Sequence, residues 1–239
     1  MIKAFIKRSK RKLLHLRLQP IHVYCFHQVS DSFDSNTMWE CDWSQTEVFK
    51  QKVLSLKAKY SFVSLTEAYR HIVHDRIRIR RYAALTADDG WESLNHILPW
   101  LFEHKIPITL FLNPLYFDGV HKQIREAEKL LTMEEVEQIV SRYAPYVSIA
   151  SHGWSHKDCL KMSMGEFEES VCNADTVLRF MRGYIPFYAF TYGHHNDGQI
   201  SFLHNKGLIP VIMNGKINYR SRIISRECID VGYHSVNLV

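Results

Sequence analysis

Two adjacent carboxylates follow an apolar run in the segment 86–90, which consists of Thr-Ala-Asp-Asp-Gly. An Asp-Gly pair by itself is a common turn signal. Adjacent carboxylates repel each other unless a cation or a donor lies between them, and a cation held by one leaves the other available as a base. The segment therefore predicts either a plain turn or a site that combines metal binding with general-base chemistry.

Two histidines four positions apart, His152 and His156, follow another apolar run. Residues at this spacing on a helical turn share one face, with Cβ atoms about 5–6 Å apart, so both imidazoles can bind one ion. In a chain with 14 histidines such a pair alone favours a surface feature. Two parallel strands would bring this loop and the aspartate pair to one rim, and two histidines with one carboxylate are the ligands of a hydrolytic divalent-metal site, catalytic zinc above all.

Two further segments lie where strands are predicted to end. His27 follows the apolar run 21–26, and at the rim of a metal site an imidazole there can donate a proton. Residues 187–193, Phe-Tyr-Ala-Phe-Thr-Tyr-Gly, contain a core strand and the turn that ends it. The four candidate segments can form one site only if the fold brings the ends of their strands together.

The apolar pattern predicts such a fold, because short β-like runs alternate with segments of helical spacing. The predicted strands are 21–26, 61–64, 82–86, 107–112, 147–150, 186–190, 208–213 and 228–231. Four capping boxes mark predicted helix starts: Ser44 with Glu47, Ser64 with Glu67, Thr132 with Glu135, and Ser163 with Glu166. This pattern indicates one α/β domain with a largely parallel sheet, either open or closed into a barrel.

Composition and charge set further limits. The chain has 239 residues, 46% of them hydrophobic and 23% charged, which is typical of a globular domain. The net charge of +5 comes from residues 1–20, which hold seven basic and no acidic residues and form a predicted basic arm or helix. The rest of the chain gives no basic face for nucleic acid. Five widely spaced cysteines, without an export signal or a bilayer-length apolar run, favour a cytoplasmic protein.

The two motifs together resemble the NodB-homology polysaccharide deacetylases of carbohydrate esterase family 4. The first family motif is TFDDG, and this chain has TADDG; the second is H-[ST]-x-x-H, and this chain has His152 to His156 with Gly153 at the variable place. Residues 188–193, YAFTYG, resemble the FAYPYG motif of the poly-N-acetylglucosamine deacetylase branch. Phe26-His27 is similar to that branch's early Tyr-His pair. The similarity spans about residues 21–230.

This resemblance implies a distorted (β/α) barrel of about seven strands, formed by residues 21–239. It implies a general base, Asp88, and a general acid, His27. The implied ligands of a divalent cation, with Zn²⁺ as the expected ion, are Asp89, His152 and His156. The backbone N–H of Tyr192 would belong to the oxyanion site, and the expected sugar-contacting aromatic residues are Trp91, Trp154 and Tyr188.

The sequence departs from the family pattern in three places. Ala87 replaces the Phe of the first motif, which concerns packing more than chemistry. Thr191 replaces the usual Pro, which would loosen the loop that carries Tyr192. The arginine that supports the base in many members has no counterpart in the third motif. A second histidine, His234, competes with His27 as the general acid, and His27 is preferred.

The expected function is metal-dependent removal of an N-acetyl group from an amino sugar in a glycan or lipid-linked saccharide. Two alternatives stay open: an inactive glycan-binding domain, and a metal-dependent amidohydrolase that acts on a non-sugar amide. The intact motif residues argue against the first. The basic arm, which also contains apolar residues, predicts peripheral contact with the inner face of the membrane.

Overall fold

The computed structural model describes residues 18–31, 43–117, 121–127, 129–216 and 218–230. The strands are β1 (Ile21–Phe26), β2 (Gln28–Val29), β3 (Trp43–Ser44), β4 (Ser61–Phe62), β5 (Tyr82–Asp88), β6 (Ile108–Leu112), β7 (Val147–Ser151), β8 (Tyr184–Ala189), β9 (Ile209–Met213) and β10 (Ile224–Cys228). The helices are α1 (Thr46–Lys57), α2 (Leu65–His74), α3 (Leu94–Glu103), α4 (Lys122–Ala127), α5 (Met133–Arg142), α6 (Met164–Leu178) and α7 (Asp197–Asn205).

Seven parallel strands close into a barrel in the order β1-β10-β9-β8-β7-β6-β5. The barrel closes where β1 pairs with β5, from Ile21 opposite Tyr82 to Phe26 opposite Ala87. The short β4 pairs only with the beginning of β5, before the β6 pairing starts at Leu85. The predicted distorted barrel of about seven strands is confirmed.

The barrel interior is a buried cluster with side chains from all seven strands, including Val23, Ala84 and Ile224. Three apolar side chains of α2 join this cluster. The ring of His71 on α2 stacks on Tyr82, the first residue of β5, with centroids 4.5 Å apart. Helix α2 therefore covers the end of the barrel where the strands begin, and the chemistry-bearing loops meet at the opposite end.

Most sequence-predicted helix starts are confirmed. The boxes of Thr132 and Ser163 are complete, and Ser64 caps α2 by accepting a hydrogen bond from the Glu67 N–H. The prediction for Ser44 is wrong. The residue before α1 is Gln45, and the Ser44 hydroxyl instead donates to Asp230 at 3.2 Å.

The last strand is also corrected. It was predicted at 228–231, but β10 begins at Ile224 and ends at Cys228. The polar residues Ser225, Arg226 and Glu227 hid its first part, because a charged side chain on a strand normally indicates a solvent-facing position. The predicted boundary at residue 20 stays a prediction, since residues 1–17 lie outside the described part of the chain.

Candidate active site

A left-handed turn directs the two adjacent aspartates to different neighbours. Asp88 ends β5, and the next two residues, Asp89 and Gly90, have φ angles of 71° and 78°. A Cβ at residue 90 would lie 2.7 Å from the side chain of Leu112, so the turn needs glycine there. Because the backbone reverses at this point, the carboxylate of Asp88 faces one set of partners and that of Asp89 another.

Asp89 meets both motif histidines. Its Oδ1 is 3.0 Å from Nε2 of His156 and 3.4 Å from Nε2 of His152. Nδ1 of His152 is 2.9 Å from the carbonyl oxygen of Ala189. A carbonyl accepts only a hydrogen, so Nδ1 carries the proton and Nε2 presents its lone pair toward Asp89. Burial lowers the pKa of His152 and thereby also favours the neutral, ligating form.

The residues fit a divalent cation. Among the described residues, the buried Oδ1 of Asp89 has only these two imidazole nitrogens as polar neighbours and accepts no hydrogen bond of regular geometry, although a native buried carboxylate oxygen normally accepts one. One atom each from Asp89, His152 and His156 lie within 4.8 Å of one another. Two imidazoles and a carboxylate, with room for a further ligand, are the donor set of a catalytic zinc site. The other oxygen of Asp89 accepts a hydrogen bond from the indole N–H of Trp91 at 3.2 Å.

Asp88 is held by an arginine that the sequence analysis missed. Nη1 of Arg226 donates to Oδ1 at 2.6 Å and Nη2 to Oδ2 at 2.7 Å, with both residues buried. Arg226 also donates to Thr86 Oγ1 at 3.1 Å and lies 5.0 Å from the centre of the Phe111 ring. Burial alone would raise the pKa of Asp88, but the charge of Arg226 outweighs it and holds that pKa below its usual value.

This arginine answers which residue tunes the predicted base. It lies on β10 and not in the third motif. Because that strand was predicted at 228–231, residue 226 was not expected to be part of it. The sequence contained one usable signal, an arginine two residues from an apolar strand residue, Ile224, on the same face.

His27 is paired with an aspartate of the last described loop. Its Nδ1 lies 2.8 Å from Oδ2 of Asp230, and its backbone N–H donates to the same oxygen at 3.1 Å. Burial lowers the pKa of His27, but the hydrogen bonds with Asp230 and Cys228, with the nearby charges of Asp89 and Asp88, outweigh it and raise that pKa well above the usual value. A protonated imidazole beside two carboxylates suits a general acid. His234 lies outside the described residues, so the preference for His27 over it stays a prediction.

The third motif borders the two histidines. Tyr192 has a φ of 56° within the turn Thr191–Gly193, and its ring, on a residue that is 56% exposed, lies 5.0 Å from that of His156. Thr191, which replaces the usual Pro, was expected to loosen this loop. Its hydroxyl instead fixes the loop by donating to the carbonyl oxygen of His152 at 3.3 Å. Ala87 is buried among apolar residues of the helix layer, as a packing role predicts.

The expected sugar contacts need one correction. Trp91 and Tyr188 are completely buried, so neither ring has a face for a sugar, and that prediction is wrong for both. Trp91 supports Asp89 instead, and Tyr188 packs against Phe167 and Phe190. Trp154 is half-buried, so its sugar contact stays a prediction, and Tyr192 is exposed.

Comparisons with known proteins agree with this architecture. IcaB from Ammonifex degensii is similar with a TM-score of 0.70 and 18% identity, over 90% of this chain and 94% of its own. Streptococcus pyogenes deacetylase PplD, solved in complex with acetate, gives 0.69 and 19%, over 89% and 93%. A de-N-acetylase from Aggregatibacter actinomycetemcomitans gives 0.70 and 17%, over 90% and 97%. At these identities the likeness establishes the fold.

No curated protein matches the sequence at a significant level. The family model named polysaccharide deacetylase matches residues 76–211. That range contains Asp88, Asp89, both motif histidines and Tyr192, whereas His27, Arg226 and Asp230 lie outside it. Since the match covers more than half of the chain and both loops of the site, this chain belongs to the polysaccharide deacetylase family.

Proposed function

We propose that the protein removes the N-acetyl group from an amino sugar of a glycan and releases acetate. The observation that carries the proposal is the separation of two adjacent carboxylates. Asp88 is bound by Arg226, and Asp89 faces two imidazoles. A single turn thus supplies a charged base beside a ligand set, which hydrolysis of an unreactive amide requires.

Each remaining group has a role in that reaction. A divalent ion held by Asp89, His152 and His156 would polarise the acetamide carbonyl and lower the pKa of the attacking water toward about 7. Asp88 accepts the proton of that water, and Arg226 keeps its carboxylate ionised and oriented. In the proposed reaction the backbone N–H of Tyr192 would donate to the developing oxyanion, a contact whose loss typically raises a barrier by about 3–4 kcal/mol. His27 donates its proton to the departing sugar nitrogen.

The proposed substrate class follows from the similar structures and from the sequence motifs. Two of those structures carry the names deacetylase and de-N-acetylase, and one contains acetate, the product of this chemistry. The YAFTYG segment resembles the branch that deacetylates poly-N-acetylglucosamine. We therefore propose an N-acetylated glucosamine polymer or oligomer as the first substrate to test, ahead of a lipid-linked precursor.

Acetate release from N-acetylglucosamine oligomers, measured beside the metal content, tests the proposal. The wild-type protein should release acetate, Asp88→Asn should lose at least about 100-fold in kcat while retaining bound metal, and His152→Ala should lose both activity and metal. Equal turnover by all three proteins would disprove the assignment. Metal binding without turnover on any glycan would favour the glycan-binding alternative, and turnover only on small acetamides would favour the non-sugar amidohydrolase.

We also propose peripheral contact with an anionic membrane surface, on the cytoplasmic side. Residues 76–81 have an inverted pattern, in which Arg78 is buried while Ile77 and Ile79 are 61% and 83% exposed. Arg78 points inward because it donates to the carbonyl oxygens of Gln19, His71 and Tyr219. The flanking side chains of Arg76, Arg80 and Arg81 are exposed.

This segment pairs with the first described residue that follows the predicted basic arm in the sequence. Leu18 forms a parallel bridge with Arg78, so residue 18 lies beside residues 76–81. Exposed isoleucines between arginines favour a lipid surface over a soluble polyanion, since apolar side chains gain nothing from the latter. Among the described residues, no helix is long and apolar enough to cross a bilayer.

A further inference from the structure

A second set of metal-ligating side chains lies at the adjoining ends of β1 and β10. One ligand atom from each of His27, Cys228 and Asp230 lies within 4.8 Å of the other two. Nδ1 of His27 is 2.8 Å from Oδ2 of Asp230, and Sγ of Cys228 is 3.3 Å from the same oxygen. The proposed reaction uses His27 and Asp230 but gives the thiol of Cys228 no role.

The barrel register builds this cluster. Cys25 of β1 is paired with Cys228 of β10, and His27 and Asp230 each lie two positions beyond that pair. Residues two apart on adjoining strands point to the same side, so the three side chains converge. The carboxylate is oriented in advance, because the His27 N–H and the Ser44 hydroxyl donate to its two oxygens at 3.1 and 3.2 Å.

We propose that His27, Cys228 and Asp230 form a second, inhibitory site for a thiophilic divalent cation such as Zn²⁺ or Cd²⁺. With metal–ligand bonds of about 2.0–2.3 Å, a tetrahedral site separates its ligand atoms by roughly 3.3–3.6 Å. The distance from Sγ of Cys228 to Oδ2 of Asp230, 3.3 Å, already matches, and Nδ1 of His27 at 2.8 Å would move outward by about 0.5 Å. A thiolate selects zinc-like ions over Mg²⁺, Ca²⁺ or Mn²⁺. The site at Asp89 has no sulfur, so the two sites differ in ligand chemistry.

The surroundings allow an ion to enter. The side chain of His27 is 20% exposed, whereas that of Asp230 is 1% exposed. An ion can therefore approach the cluster from the side of the imidazole, whereas the carboxylate is closed off from solvent. Three protein ligands leave one position for water, as in catalytic zinc sites.

Inhibition follows from the atoms that the ion would occupy, and this step rests on the proposed function. An ion on Nδ1 of His27 replaces the proton that Nδ1 otherwise donates to the carboxylate of Asp230. Binding also displaces the thiol proton of Cys228, and both protons pass to solvent. The imidazole is then no longer the cationic acid that the departing sugar nitrogen needs.

Cobalt substitution tests the site without reference to activity. Co²⁺ titrated into the wild-type protein should fill two sites per chain, and the second should give the near-ultraviolet charge-transfer absorption of a thiolate ligand. Cys228→Ser and Cys228→Ala should both lose that band and one equivalent of metal. The control Cys172→Ser removes another half-buried cysteine, on α6, and should retain both. Asp89→Asn should lose the other equivalent and keep the band.

A wild-type protein without the band, or a Cys228→Ser variant that keeps it, overturns the second site, whatever the protein hydrolyses. For inhibition, each variant is compared with its own uninhibited rate of acetate release. Excess Zn²⁺ should inhibit the wild type, and Cys228→Ser should need about tenfold more Zn²⁺ or beyond for the same inhibition. An identical inhibition curve would overturn the inhibitory role. A protein that shows the band but releases no acetate would contradict the proposed function alone.

Discussion

Arg226 grips Asp88 with two parallel hydrogen bonds, at 2.6 and 2.7 Å, between residues 138 positions apart in the chain. The planar guanidinium matches both carboxylate oxygens at once, and both side chains are buried. Oδ2 of Asp88 is still only 3.9 Å from Nε2 of His152. The proposed base is thus held in one orientation at the edge of the predicted metal site.

Replacing Arg226 should damage both stability and turnover. Arg226→Met leaves the Asp88 carboxylate buried without its partner, which typically costs about 3–5 kcal/mol in the free energy of unfolding. Arg226→Lys keeps a charge but loses the two-pronged geometry, and we expect kcat to fall by about 10–100-fold. Urea denaturation and acetate release measure the two effects.

The matched control is Arg179→Lys. Arg179 pairs with Asp175 at 2.8 Å, but it is 55% exposed, and such surface pairs contribute about 0–1 kcal/mol. If Arg226→Lys behaved like Arg179→Lys in both assays, Arg226 would have no positioning role.

The pH dependence should report the pair of His27 and Asp230. The pKa of His27 is raised, so the acid stays protonated above the usual imidazole value of about 6.5, and the alkaline limb of kcat/KM should lie above that pH. Asp230→Asn removes the stabilising charge, so we expect the limb to move to lower pH and the rate at neutral pH to fall. The pH–rate profile of the two proteins measures the shift.

The same pair affects stability. Because the folded pKa of His27 is raised, its stabilising contribution is complete below about pH 6.5 and is lost as pH rises through the folded pKa. Asp230→Asn should therefore destabilise more at acid than at alkaline pH. Asp75→Asn is the control, since Asp75 forms an equally short 2.8 Å contact with His71 at the other end of the barrel. A shifted rate profile in Asp75→Asn, or an unshifted one in Asp230→Asn, would contradict the assignment.

The indole of Trp91 should tune the site of Asp89. Trp91→Phe retains a large buried ring but removes the N–H that donates to Asp89 at 3.2 Å. Loss of such a supporting hydrogen bond typically weakens metal binding by about 10–100-fold. Competition with a chromophoric chelator measures this affinity. Trp100→Phe is the control, because Trp100 lies on α3 beside His104, and it should leave the metal affinity unchanged. Equal affinities for the two variants would remove Trp91 from the site.

The membrane proposal predicts that Ile77→Ser combined with Ile79→Ser weakens binding to anionic vesicles by about tenfold or more. Burying one isoleucine is worth about 1.5–3 kcal/mol, and both side chains are largely exposed in the free protein. Co-sedimentation with phosphatidylglycerol vesicles measures binding, with phosphatidylcholine vesicles and a soluble polyanion as comparisons.

Phe180→Ser is the control for that experiment, since Phe180 is 84% exposed but lies outside the segment 76–81, two residues after the end of α6. It should bind vesicles like the wild type, and both variants should retain turnover on a soluble oligosaccharide. Binding to the polyanion as tight as to anionic vesicles, or equal losses in both variants, would refute a lipid-facing role for the isoleucines.

Much of the fold could be predicted because its elements carry local signals. The apolar run 21–26 coincides with β1, and the apolar positions Phe167, Val171, Ala174 and Leu178 are all buried on α6. Prediction failed where tertiary contacts override local preference. Ser44 had the residues of a capping box, but its hydroxyl is used by Asp230. Arg226 broke the apolar pattern of β10 because its partner is a buried aspartate on another strand.

Some residues of the candidate site could be predicted from the sequence and others could not. The motif residues Asp88, Asp89, His152 and His156 could be identified from type and spacing, and the structure brings them together. Asp230 had no local signal, since its role depends on the distant His27. The residue type and position of Trp91 favoured a contact with sugar. Its ring is buried instead, and its indole N–H donates to Asp89.

By itself, the sequence determined the alternation of strands and helices and the two motif loops, because apolar periodicity and turn residues act over a few neighbours. Only the tertiary structure decided that Arg226 serves Asp88, that Asp230 serves His27, and that Trp91 faces inward. Those partnerships join segments up to 203 residues apart, and they form only when closure of the barrel brings β1, β5 and β10 side by side. Burial at that junction makes each charge require a partner, and the sequence does not show which residues will be buried together.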